Sequence, residues 1–172
     1  MTENIGHAKS IPKVVFLENI DAWVEKYGGQ ELINEMNQLY QKYKYMEQGQ
    51  LRSRVTLKIK LPDIKKTLEI VKMMKKKHES DEQEFQTNFL VSDTIWAKAK
   101  IPNKDAKVGL WLGANVMVEY PFDDAIAILE KNLNNANNRL EQTQEELNFI
   151  KDNITTLEVN IARVYNQTVK NS

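Results

Sequence analysis

The sequence predicts a mainly α-helical protein: a long antiparallel two-helix coiled coil, with two β-hairpins inserted where the first helix turns back into the second. Two observations lead to this prediction. Apolar residues recur at alternating steps of three and four over residues 126–168 without a change of phase, and a period of 3.5 sustained over several heptads is typical of a left-handed coiled coil. Residues 85–120 instead alternate apolar and polar side chains, which is the period of β-strands.

Residues 1–29 form a leader that precedes the coiled coil. Residues 1–13 are predicted to be disordered. A short amphipathic helix follows, ends at Gly28 and Gly29, and has an apolar face formed by Phe16, Leu17, Ile20, Trp23 and Val24. This helix docks either on its own coiled coil or on a neighbouring subunit, and the first alternative is preferred.

Residues 30–84 are predicted to be the first coiled-coil helix. Its seam contains two sets with three-four spacing: Leu32, Met36, Leu39, Tyr43 and Met46, and then Leu57, Leu61, Ile64, Leu68 and Val71. The phase fails between the two sets, where Gly49 lies. Pro62 removes one helical hydrogen bond. We expect a kink near residues 59–63, and a complete break at Pro62 is the alternative.

Residues 85–120 are predicted to form four short strands in two hairpins, which turn at residues 92–94 and 113–115. Isolated hairpins are marginally stable in water and expose strand edges, so these strands need partners. Residues 121–170 are the second coiled-coil helix. Its predicted seam consists of Ile126, Leu129, Leu133, Ala136, Leu140, Thr143, Leu147, Ile150, Ile154, Leu157, Ile161, Val164 and Thr168. The residues between these positions are mostly polar and are expected to face solvent.

Composition and motifs argue against several classes of function. The chain has 24 basic and 24 acidic residues, so no net charge attracts it to nucleic acid or to an anionic membrane. It has no cysteine, and its two histidines, His7 and His78, lie in the leader and on a charged helix face. Neither a signal peptide nor a membrane-spanning segment is apparent. We therefore expect a cytoplasmic protein with no enzymatic activity, cofactor, metal, nucleic-acid partner or membrane partner.

Several stretches resemble the alpha-class subunits of prefoldin, and more narrowly the eukaryotic subunit 3 type. They are "LWLGANVMVEYPFDDAIAILEKNL" at residues 110–133, "QKYKYMEQ" at 41–48, "LPDIKKTLEIVKMMKKK" at 61–77 and "EVNIARVYN" at 158–166. The resemblance extends from about residue 11 to residue 170. Residues 110–120 are its most specific part, because heptad periodicity does not generate a hairpin.

The resemblance implies a heterohexamer with one further alpha-class subunit and four beta-class subunits, in which the strands complete an intersubunit β-barrel. It also implies a co-chaperone that captures non-native clients such as actin and tubulin and delivers them to the cytosolic chaperonin without ATP. A structural coiled-coil adaptor that tethers two proteins is the alternative function.

Two sets of binding residues are predicted. Subunit assembly is assigned to Trp96, Trp111, Leu112, Val116 and Met117. The alternative is that these side chains form an intrachain cluster against the ends of the long helices next to the hairpins. Client binding is assigned to the helix ends opposite the hairpins, at Leu32, Met36, Tyr40, Tyr43, Tyr165 and Val169. The alternative is that these side chains close the coiled-coil seam.

Overall fold

The computed structural model of the chain describes residues 2–3, 12–80, 84–102 and 107–170. Its first elements are strands β1 (Thr2–Glu3) and β2 (Lys13–Val14) and helices α1 (Ile20–Tyr27) and α2 (Gly29–Glu79). They are followed by strands β3 (Glu84–Ser92), β4 (Ile95–Pro102), β5 (Lys107–Gly113) and β6 (Val116–Pro121) and by helix α3 (Phe122–Lys170). A pair of long helices with antiparallel hairpins between them confirms the predicted fold class. Closure of the strands into a barrel across subunits stays a prediction.

The chain divides into two structural units, each of which contains part of both long helices. The helix-end unit consists of Met1–Thr56 and Leu140–Ser172, and the hairpin unit is Leu57–Arg139. Each unit has its own apolar core. The helix-end core contains Val14, Leu17, Leu32, Met36, Tyr43, Ile150, Ile154, Leu157 and Val164. The hairpin core contains Leu68, Val71, Val108, Leu110, Phe122, Ala125 and Leu129.

The seam of α3 is buried as its periodicity predicts. Every predicted seam position from Ile126 to Thr168 is buried or half-buried. Thr143, one of the two seam positions without an apolar side chain, is also buried. The uniform 3.5-residue period therefore identified one buried face of this helix from Ile126 to Thr168.

Polar side chains connect the two helices where the apolar phase of α2 fails. The Gln50 amide nitrogen donates to the Glu146 carboxylate at 2.5 Å. The Arg54 guanidinium donates to the Gln144 side-chain oxygen at 3.1 Å. These contacts lie within the helix-end unit, so hydrogen bonds join the two helices over the stretch where α2 has no predicted seam residues.

The alternative of a broken first helix is wrong, because α2 continues through Pro62 from Gly29 to Glu79. Both Pro62 and Lys58 are exposed, so the Lys58 carbonyl that loses its helical partner is open to water. Leu61 and Leu68, on either side of the proline, are both buried. The expected kink stays a prediction.

The predicted end of the first helix at residue 84 is also wrong. The helix ends at Glu79, and Glu84 is the first residue of β3, where it pairs with Pro102 of β4. The Lys100 ammonium lies 2.9 Å from the Glu84 carboxylate. Glutamate is compatible with a helix, so the local sequence did not reveal that cross-strand contacts begin at this residue.

The leader is more ordered than the sequence indicated. Within the predicted disordered stretch, Thr2–Glu3 pairs antiparallel with Lys13–Val14, while residues 1 and 4–11 lie outside the described part. The short helix begins at Ile20, after an Asn19 cap whose side chain accepts from the Ala22 N–H at 3.3 Å.

Phe16 and Leu17 therefore precede the short helix rather than belonging to it. Within α1, Ile20, Trp23 and Val24 pack against the helix-end core. The structure thus agrees with docking of the short helix on its own coiled coil.

Each hairpin is a two-stranded antiparallel sheet, formed by β3 with β4 and by β5 with β6. The second hairpin turns through Ala114 and Asn115, whose φ values of 47° and 61° both lie in the left-handed region. Two consecutive left-handed residues are typical of a type I′ turn, whose twist matches that of the flanking strands. The hairpin therefore closes with a two-residue connection.

Candidate binding surfaces

The second hairpin has two faces with different surroundings. Leu110 is 8% exposed and packs in the hairpin core together with Val108 and residues of both long helices. Trp111, the next residue of β5, points to the opposite face and is 64% exposed. Val108 and Leu110 therefore make the intrachain contact, and the predicted assembly residues do not.

All five predicted assembly residues are exposed in this chain. Trp111 and Met117 are directly paired across β5 and β6. A side chain at Gly109 would approach the Met117 sulfur to 3.0 Å, so glycine leaves room for the methionine. The register shift between Trp111 and Gly113 leaves Leu112 without a cross-strand partner. The structure thus brings Trp111 and Met117 together on one open apolar face.

The first hairpin is exposed on both faces over most of its length. Leu90 pairs with Trp96 on one face, and Phe89 pairs with Ala97 on the other; all four side chains are exposed. Trp96 belongs to the predicted assembly residues, whereas Phe89 and Leu90 do not. The available signal was that Leu90 lies with Trp96 on the face whose other side chains are polar, while Phe89 lies on the apolar face.

Five of the six predicted client-binding residues fall into two groups, and the sixth, Tyr40, is half-buried. Leu32, Met36 and Tyr43 are fully buried in the helix-end core, where they close the seam as the alternative interpretation expected. Tyr165 and Val169 are exposed. Of these two groups, only the second is exposed while the helices are paired.

Tyr40 and Tyr165 line a shared groove on the helix-end unit. The groove has a volume of about 390 Å³ and is lined by Ile33, Asn37, Tyr40, Glu158, Ile161, Ala162, Tyr165 and Asn166. The Tyr40 hydroxyl donates to the Glu158 carboxylate at 3.2 Å, which fixes the ring at one side. A mainly apolar groove of this size fits one or two side chains of an extended polypeptide.

Burial raises the pKa of Tyr43 above its usual value because the charged phenolate would lose its hydration. The hydroxyl, which is protonated at neutral pH as in any tyrosine, donates to the Pro12 carbonyl. Tyr43 thus connects the leader to the seam of α2.

Two buried polar residues of α3 were missed by the periodicity. Asn153 and Asn160 lie between the predicted seam positions, where solvent exposure was expected, but both are buried. The N-terminal leader covers them: the Val14 N–H donates to the Asn153 side-chain oxygen at 2.6 Å, and the Leu17 N–H donates to that of Asn160 at 3.1 Å. Their spacing of seven residues was the signal that they share one face.

Within the described ranges, no group of three or more histidine or acidic side chains is placed to hold a metal ion. The helices in the same part of the chain include none that is long and apolar enough to cross a membrane.

Comparison with known proteins gives consistent matches. Residues 43–167 match the family model described as "Prefoldin subunit". The chain is 46% identical to prefoldin subunit 3 of Homo sapiens over 163 residues, which cover 93% of this chain and 82% of that protein. It is 37% identical to prefoldin subunit 3 of Saccharomyces cerevisiae over 172 residues, covering 95% of this chain and 86% of the relative.

A solved structure shares the fold. The chain aligns with a TM-score of 0.54 and 16% identity to a subunit in the cryo-EM structure of filamentous PFD from Methanocaldococcus jannaschii. The alignment covers 72% of this chain and 98% of the archaeal one.

Proposed function

Because this chain belongs to the prefoldin subunit family, we propose that it is one subunit of a heterohexameric holdase containing one further alpha-class and four beta-class subunits. The resemblance that the sequence indicated is thus confirmed at the level of the family. Prefoldin subunits are non-enzymatic components of a chaperone, which gives this chain a role in protein folding. The composition of the hexamer and the identity of its clients are the proposal.

The exposed apolar side chains of the two hairpins are the observation that supports the proposed assembly. Trp96, Trp111, Leu112, Val116 and Met117 are exposed, and so are Phe89, Leu90, Val91 and Ile95. Large apolar patches on soluble proteins are typically interfaces. The exposed strand edges can pair with strands of neighbouring subunits by main-chain hydrogen bonds. Both features support the closure of an intersubunit β-barrel by these hairpins.

The client-binding surface is proposed to include the exposed side chains of the helix-end unit. Tyr165 and Val169 are accessible, and Tyr40 with Tyr165 borders the apolar groove. Leu32, Met36 and Tyr43 contribute to client binding only if the helix ends separate, because they are buried when the seam is closed. The proposed clients are non-native actin and tubulin, which the cytoplasmic assembly holds without ATP and passes to the chaperonin.

Co-expression with candidate prefoldin subunits, followed by native mass spectrometry, tests the assembly. A discrete hexamer with two alpha-class chains is the expected product. The purified complex is then added to actin diluted from denaturant, and light scattering measures aggregation with and without ATP. Equal suppression of aggregation in both conditions supports the holdase. A monomer or homodimer that ignores the other subunits and does not suppress aggregation would contradict the proposal and favour a coiled-coil adaptor.

A further inference from the structure

We propose that residues 12–18, called the strap below, occupy in cis a groove that binds extended apolar polypeptide. This groove is formed by Tyr43, Asn153, Asn160 and Arg163 and is not the groove that Tyr40 and Tyr165 line. In this proposal a client segment of similar form enters the groove after displacing the strap. The proposal deepens the proposed function and rests on it for the identity of the client. The existence of the groove as a peptide-binding site can be tested separately.

Two asparagines of α3 bind the main chain of the strap. The Val14 N–H donates to Asn153 Oδ1 at 2.6 Å, and the Leu17 N–H donates to Asn160 Oδ1 at 3.1 Å. Asn160 Nδ2 in turn donates to the Val15 carbonyl at 3.0 Å. Because the asparagines are seven residues apart on α3, they lie on the same face two turns apart. They present the donors and acceptors that a neighbouring β-strand would offer.

Two further side chains extend this recognition to both ends of the strap. Arg163 donates to the Leu17 carbonyl at 2.5 Å and to the Glu18 carbonyl at 3.2 Å. At the other end, the Tyr43 hydroxyl donates to the Pro12 carbonyl. These contacts all involve main-chain atoms, which every extended polypeptide provides. Recognition of this kind tolerates differences in sequence.

Only two side chains of the strap are buried in the groove. Val14 and Leu17 are part of the helix-end core, whereas Val15 and Phe16 between them are exposed. The ligand class is therefore an extended segment with aliphatic side chains three residues apart and few restrictions elsewhere. Non-native proteins expose many such segments, because aliphatic residues that are buried in the native fold become accessible.

The buried asparagines distinguish a binding groove from an ordinary core contact. A buried amide is destabilising unless it is hydrogen-bonded, and an apolar residue at either position would pack the leader against the helices without that requirement. The partners of the Asn160 amide are main-chain groups of the strap. Since the strap is joined to α1 and α2, its high effective concentration weakens the binding of any polypeptide that competes for the groove. The strap therefore limits access to the groove.

The test compares two adjacent valines in the full-length chain. Val14→Asp introduces a charge at a 4% exposed anchor and should release the strap, whereas Val15→Asp makes the same change at a 38% exposed position and is the matched control. A fluorescein-labelled peptide with the sequence of residues 12–19 is titrated into each protein, and anisotropy measures binding. We expect affinity for Val14→Asp to be about ten-fold or more above that for the intact chain, because the tethered competitor is removed. Val15→Asp should behave like the intact chain.

A third variant identifies the groove as the binding site. Adding Asn160→Ala to Val14→Asp should abolish the gain in peptide affinity, and circular dichroism establishes that all variants remain helical. A helical Val14→Asp protein that binds the peptide no better than Val15→Asp would overturn the proposal.

A measurement on the unmodified chain does not depend on how the variants fold. Excess unlabelled peptide should accelerate amide hydrogen exchange at Val14 and Leu17, since displacement of the strap frees both N–H groups. Unchanged exchange at saturating peptide would overturn the proposal.

The identity of the ligand is tested with a permanently unfolded protein. Reduced, carboxymethylated α-lactalbumin should displace the labelled peptide from the Val14→Asp chain. Peptide binding without displacement would overturn the client assignment and leave only a site for the strap. Neither result depends on hexamer formation or on suppression of actin aggregation, so failure of the proposed function is distinguishable from failure of this inference.

Discussion

Trp111→Ala should weaken subunit assembly without destabilising the chain itself. Trp111 is 64% exposed on the open face of β5, whereas the adjacent Leu110 is 8% exposed and packs in the hairpin core. The two residues are neighbours in sequence but face opposite sides of the strand. Truncation of each side chain therefore separates the contribution of an intersubunit contact from that of an intrachain contact.

The exposed fraction of Trp111 gives the expected magnitude. If a tryptophan can bury about 200 Å², the 64% that is exposed in this chain amounts to roughly 130 Å². At about 25 cal/mol per Å², its burial at an interface stabilises the complex by about 3 kcal/mol. This free energy corresponds to a change of about two orders of magnitude in the dissociation constant.

A labelled chain titrated with its partner subunits measures the dissociation constant, and circular dichroism with increasing urea measures the free energy of unfolding of the isolated chain. Trp111→Ala should change the free energy of unfolding by no more than about 0.5 kcal/mol. Leu110→Ala, the matched control, should lower it by about 2–5 kcal/mol because it removes a buried aliphatic side chain. The reasoning is refuted if Trp111→Ala destabilises the isolated chain as much as Leu110→Ala does, or if it leaves the dissociation constant unchanged.

Three further predictions concern the helix-end unit. The double change Tyr165→Ser and Val169→Ser removes exposed apolar area and should therefore reduce the suppression of actin aggregation. Native mass spectrometry should still detect the hexamer. If the variant hexamer suppresses aggregation fully, these residues are not client contacts. Leu147→Ala should lower the free energy of unfolding by about 2–5 kcal/mol in urea because Leu147 is fully buried, whereas Val159→Ala, at an exposed position, should change it by no more than about 0.5 kcal/mol. Because burial raises the pKa of Tyr43, the stabilisation from its protonated form is complete below pH about 10 and is lost as pH rises through the folded pKa. Tyr43→Phe should therefore show a smaller loss of melting temperature than the unchanged chain between neutral and strongly alkaline pH, and an identical loss would contradict the assignment.

The sequence alone determined the elements whose pattern repeats locally. The unbroken three-four spacing from Ile126 to Thr168 identified the buried face of α3, since a constant period selects one side of a helix whatever packs against it. The alternation of apolar and polar residues identified the hairpins in the same way. Residues 110–133 additionally carried the family resemblance, because their hairpin-to-helix sequence is not a product of heptad periodicity.

Only the tertiary structure decided which residues are covered by distant parts of the chain. Asn153 and Asn160 were predicted to face solvent because they are polar and lie between the seam positions of α3. They are buried instead, because residues 14–17 cover them and hydrogen-bond to their side chains. Leu110 and Trp111 are both apolar strand residues, and only Leu110 meets the hairpin core. Period and propensity are properties of neighbouring residues, whereas burial depends on which surface arrives from elsewhere in the chain. For that reason the sequence indicated which residues form each helix and strand, and the fold determined which of their faces remain open for binding.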